Sequence, residues 1–113
     1  MRGLKIKGDS PRWTNDGIDI DCCSRVTVSD CIIDVGDDAL TVRANKEPLL
    51  HKEGRSENIT VTNCVLRSSR DYGVRVGVGA GVICGCTFSN LDIEAPNAGG
   101  IGSLKKEKIR LKT

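Results

Sequence analysis

Short apolar-polar-apolar triplets recur along the chain with a period of two, and no window carries a helical apolar stripe. Leu4-Lys5-Ile6 precedes Gly17-Ile18-Asp19-Ile20, and Val26-Thr27-Val28 precedes Ala39-Leu40-Thr41-Val42. The pair recurs as Ile59-Thr60-Val61 with Gly73-Val74-Arg75-Val76, and as Cys86-Thr87-Phe88 with Gly100-Ile101-Gly102-Ser103. Between the two members the later copies carry Cys31-Ile32-Ile33, Cys64-Val65-Leu66 and Leu91-Asp92-Ile93, so each copy predicts three short strands. The first members are offset along the chain by 26 − 4 = 22, 59 − 26 = 33 and 86 − 59 = 27. The excess of 33 − 22 = 11 falls in a charged stretch with Pro48 and Gly54, which reads as an inserted surface loop over 45–57.

Strands this short are not stable singly. Stacked copies bury one another's apolar faces, so an all-β fold is predicted: a parallel β-helix of about four coils, neighbours about 4.7–4.9 Å apart. A β-sandwich would favour Asn-Gly or Asp-Gly hairpins, whereas Asp16-Gly17 precedes a strand inside the repeat. Residues 1–113 then form one unit with the inserted loop and a basic tail at 105–113. Four coils leave two open β-helix ends, and unpaired edges recruit other chains, so the segment is expected either to self-associate through its N-terminal coil or to need upstream coils to stay soluble.

Composition narrows the partners. Only 3% of residues are aromatic, so Val, Ile and Leu must build the core, and a net charge of +2 gives no case for a nucleic-acid or membrane partner. No apolar run approaches the roughly 18–20 residues that cross a bilayer, and the first residues lack a signal-peptide core. The parent protein is extracellular or periplasmic if a leader precedes this segment, and cytoplasmic otherwise. Cysteines at 22, 23, 31, 64, 84 and 86 show no paired metal-ligand spacing, so no metal or other cofactor is expected. Cys31 and Cys64 share a repeat position and Cys86 an inward one, which predicts buried thiols. His51 falls in the inserted loop and reads as a solvated side chain.

The acidic residues carry the chemistry. Asp16 and Asp38 occupy one repeat position, since 38 − 16 = 22 repeats the first offset, with Asp37 beside them and Asp71 in the next copy. Carboxylates that close raise at least one pKa and can share a proton. An acid beside ionised carboxylates is the equipment for cleaving a glycosidic bond. The other reading is a turn, where Asp and Asn cap their own backbone.

Trp13-Thr14-Asn15-Asp16-Gly17-Ile18-Asp19 followed by Gly36-Asp37-Asp38 resembles the Asn-Thr-Asp-Gly-Ile-Asp and Gly-Asp-Asp motifs of glycoside hydrolase family 28, the polygalacturonases and their relatives. The likeness covers about residues 4–104, part of a full-length member. It implies a right-handed parallel β-helix and inverting hydrolysis of pectic, galacturonan-type polysaccharide. Asp37 then corresponds to the general acid, and Asp16 and Asp38 to the pair that holds the attacking water. Carboxylates about 5 Å apart would by themselves suggest retention. Tyr72 stands where the family has histidine, and Gly102-Ser103-Leu104 where it has Arg-Ile-Lys. Arg110-Leu111-Lys112, further along the chain by 110 − 102 = 8, is either that triplet displaced or the next strand of the basic tail. Candidate substrate-binding residues are Tyr72, Arg75, Trp13, Arg110 and Lys112. Two other classes stay open: a carbohydrate-binding β-helix without turnover, and a calcium-dependent pectate or pectin lyase, because clustered aspartates also suit calcium.

Overall fold

Alternation of Val, Ile and Leu with polar residues, broken every few residues by Gly, Asn or Asp, favours short extended segments. The computed structural model describes residues 1–8, 15–47, 52–103 and 109–112, and none of them is helical. The chain is all-β. One sheet contains β1 (Lys5–Lys7), β3 (Ser24–Ser29), β4 (Ile32–Val35), β8 (Arg55–Ser68), β10 (Val82–Glu94) and β12 (Ile109–Lys112). A second is ordered β11 (Gly99–Ser103), β9 (Tyr72–Val78), β5 (Leu40–Arg43), β2 (Ile18–Asp21). Every pairing within these two sheets is parallel.

Register places like residues side by side. Val28 pairs with Val61 and Val61 with Phe88; Ile33 pairs with Leu66 and Leu66 with Ile93. In the second sheet Ile18 pairs with Leu40, Leu40 with Val74, and Val74 with Ile101. The inward members form a single core in which Val28, Ile33, Leu40, Val61, Leu66 and Val74 are fully buried. Each contributes about 1.5–3 kcal/mol of apolar transfer. Cys31, Cys64 and Cys86 are buried thiols within it.

Two corners recur between strand rows. Asp30, Asn63 and Asn90 adopt φ of 56°, 54° and 50°, a left-handed conformation that Asn and Asp tolerate. They hydrogen-bond in series, the Asn63 amide donating to Asp30 Oδ1 at 2.5 Å and the Asn90 amide to Asn63 Oδ1 at 2.7 Å. Arg25, Asn58 and Gly85 form the second left-handed corner.

Strand pairing revises several sequence expectations. Leu4-Lys5-Ile6 belongs beside Ile32–Ile33, since Lys5 pairs with Ile32 and Ile6 with Ile33, and not beside Val26–Val28. A lone triplet carries no register of its own. Moreover, the step from Ile6 to Ile18 (18 − 6 = 12) exceeds that from Ile33 to Leu40 (40 − 33 = 7), so the first copy carries an insertion between those strands. The 45–57 segment is only partly a loop: Lys46–Glu47 (β6) and Lys52–Glu53 (β7) form an antiparallel ribbon, and residues 55–57 already belong to β8. Of the basic tail, 109–112 form β12, which pairs with β10 through Cys86–Ile109 and Phe88–Leu111.

Candidate active site

The turns that enter β2, β5 and β9 lie side by side. Gly17 N–H donates to Asp38 O at 3.0 Å, Asp37 N–H to Asn15 O at 3.1 Å, and Ala39 N–H to Tyr72 O at 3.1 Å. Close approach requires a residue without a side chain at position 17, because a Cβ there would run into Ala39 O and Ile33 Cγ2. Asp16, Asp37 and Asp38 thereby converge, each with a carboxylate oxygen within 4.8 Å of the others.

Asp38 is the fixed member. It is 4% exposed, Tyr72 N–H donates to its Oδ1 at 3.1 Å, the Thr41 hydroxyl lies 3.4 Å from Oδ2, and Arg75 Nε stands 3.2 Å from that oxygen. Burial pushes its carboxyl up to about 6, against the opposing pull of the Tyr72 amide and the Arg75 charge. Asp16 is pushed up to about 7, first by burial, then by a hydrogen bond and like charge from Asp19 and by the charges of Asp37 and Asp38. Asp37 is raised by burial and by its bond to Asp71, with the Asp38 amide and Arg75 working the other way. Asp37 Oδ1 accepts from that amide at 2.9 Å, and Ser68 Oγ donates to Asp37 O at 2.6 Å while accepting from Asp71 N–H at 3.0 Å. Burial alone would lower Arg75, but its bond to Asp71 and the charges of Asp38, Asp71 and Asp37 raise it.

Of the sequence candidates, Tyr72 and Arg75 join the three aspartates, and the Arg75 guanidinium stands 5.0 Å from the Tyr72 ring centroid. The Tyr72 ring leans across the next strand, where a Cβ on Gly102 would meet it at 2.6 Å. Arg110 and Lys112 lie in the other sheet, paired with Thr87 and Ser89, so the triplet occupies the next strand row and not the row of the aspartates. Trp13 and His51 lie outside the described residues. Sequence reasoning misses Asp19 and Thr41, and it places Asp71 on this edge without giving it a role. Asp19, Thr41 and Arg75 occupy one register position in β2, β5 and β9, a signal present in the alternation of those strands. A cavity of about 340 Å³ flanks the same turn, lined by Asp34, Arg67, Ser68, Ser69, Glu94 and Pro96; none of the three aspartates lines it. Comparison with family models, curated proteins and solved structures finds no match for the chain.

Proposed function

We propose that the chain is a glycoside hydrolase segment acting on pectic or related polysaccharide, built on a right-handed parallel β-helix of about four coils. The β-helix reading is supported by in-register pairing of the last two copies at one constant offset in both sheets: Ile59–Cys86, Leu66–Ile93 and Val74–Ile101 give 86 − 59 = 93 − 66 = 101 − 74 = 27. The catalytic reading rests on one observation: three carboxylates held within 4.8 Å, one of them buried and anchored.

Asp37 protonates the leaving glycosidic oxygen as the bond to the anomeric carbon breaks. Asp16 and Asp38 orient a water and accept its proton as it attacks that carbon. Raised proton affinities keep a proton in the cluster near neutral pH while Arg75 holds Asp38 as the anion, so acid and base coexist. Two details favour a second version. A separation under 5 Å suits retention better than the about 6.5–9.5 Å of inverting pairs, and Asp16, pushed up to about 7, holds a proton more tightly than Asp38 at about 6.

Reducing-end release from homogalacturonan, rhamnogalacturonan and xylogalacturonan tests the proposal. Asp37→Asn is expected to lower kcat by about 10²–10⁴-fold with substrate affinity largely kept, and to spare aryl glycosides whose leaving group needs no acid. The same pattern in Asp16→Asn instead moves the donor role to Asp16. The anomer first formed, read by NMR, separates inversion from retention. No release by the folded chain from any of these polymers, ionised or methyl-esterified, or from galactan overturns the hydrolase and leaves the binding module, while a calcium-dependent unsaturated product identifies a lyase.

A further inference from the structure

Five carboxyl groups meet on this face: Asp16 beside Asp19, Asp37 beside Asp71, and Asp38. Among the described residues, the guanidiniums of Arg75 and Arg43 pair with these aspartates, and both are committed. Arg75 lies 3.2 Å from Asp38, donates to Asp71 Oδ1 at 2.5 Å and covers the Tyr72 ring, while Arg43 lies 3.9 Å from Asp19. Over these seven described groups, five negative charges less two positive leave three. One proton shared between Asp16 and Asp19 and one between Asp37 and Asp71 still leave 3 − 2 = 1.

A sugar carboxylate entering this face meets uncompensated charge of its own sign. To reach Arg75 it must displace Asp38, which is held from two further sides by the Tyr72 amide and the Thr41 hydroxyl. An uncharged sugar meets no such repulsion, and its hydroxyls donate to the carboxylate oxygens that an anion would have to oppose. Given the hydrolase reading, we propose that the sugar bound at the cleaved bond is uncharged, a neutral hexose or an esterified uronate, and that an ionised uronate is selected against there. Arg75 is thus a positioning residue for Asp38 and not the receptor for a substrate carboxylate.

The test is calorimetric titration of the folded chain at pH 7 with galacturonan oligomers of one length, ionised or fully methyl-esterified, and with a galactan oligomer, together with reducing-end release from each. An uncharged oligomer is expected to bind at least tenfold more tightly than the ionised one at low salt, with the gap narrowing as salt screens the repulsion. Asp19→Asn, which removes one charge and releases Arg43, is expected to narrow that gap threefold or more. Equal or tighter binding of the ionised oligomer overturns the inference, as does failure of both uncharged oligomers to bind. Preference for an uncharged oligomer without hydrolysis supports the charge selection and overturns the hydrolase reading; hydrolysis with the ionised form preferred does the reverse.

Discussion

Two stacks of short polar side chains stand at equivalent positions in successive copies, and they differ in one respect. At the Asp30–Asn63–Asn90 corner each member supplies what its neighbour lacks, an amide hydrogen facing an oxygen. At the turns before β2 and β5 the stacked members are Asp16 and Asp38 with Asp37 beside them, all acceptors when ionised. The first stack satisfies itself and explains itself as structure. The second is held together against its own charge by glycine contact, backbone bonds and Arg75, and burial and like charge raise the proton affinity of its carboxyls. Such mutual conflict, more than stacking, separates a site from a corner.

The comparison breaks most sharply at Arg75. Arg75→Met leaves buried Asp38 beside Asp71 without a cation and is expected to cost about 2–4 kcal/mol of stability at pH 8. The loss shrinks below about pH 6, where Asp38 can take a proton, so chemical denaturation at pH 5 and pH 8 should give clearly different values.

At the complementary corner, Asn63→Ala removes two amide bonds and places alanine in a left-handed conformation, with an expected cost of about 1–2 kcal/mol. Because the substituted group is neutral, that cost should be the same at pH 5 and pH 8. A strong pH dependence in denaturant midpoints would erase the distinction between the two stacks.

The smallest effect has the opposite sign. Asp16 binds a proton more tightly in the folded chain, near 7, than in the unfolded one, near 4. Its contribution to stability is therefore full below about pH 4 and is lost as pH rises through about 7. Asp16→Asn removes that loss and should stabilise the chain by about 1 kcal/mol at pH 8, after allowance for partial solvation, and not at pH 4. Paired melting curves of the two proteins at both pH values measure it.

Much of this is legible in the residues. Asp16 and Asp38 align from sequence alone because no insertion separates Ile18 from Asp16 or Leu40 from Asp38, so a strand register fixes the turn register. Leu4–Ile6 is misplaced by sequence because a triplet fits any row, and the insertion in the first copy is invisible without its partner strand. A motif draws Arg110 and Lys112 toward the site. Yet the same step of 8 separates Ile101 from Ile109 and Ile18 from Val26, enough to pass from one strand row to the next. Arg75 is a candidate on sequence, but its commitment to Asp38 and Asp71 depends on how a long side chain crosses between copies, which alternation does not encode.

Retention of protons by the aspartate cluster near neutral pH separates it from an ordinary acidic turn. Carboxyl-carbon NMR of the aspartates from pH 3 to pH 9 tests it most directly, with Asp16→Asn and Asp38→Asn to assign the steps. Titration steps near pH 7 and pH 6 are expected, belonging to the coupled cluster and changing together when either residue is replaced. Complete ionisation of Asp16, Asp37 and Asp38 by pH 5 would contradict it.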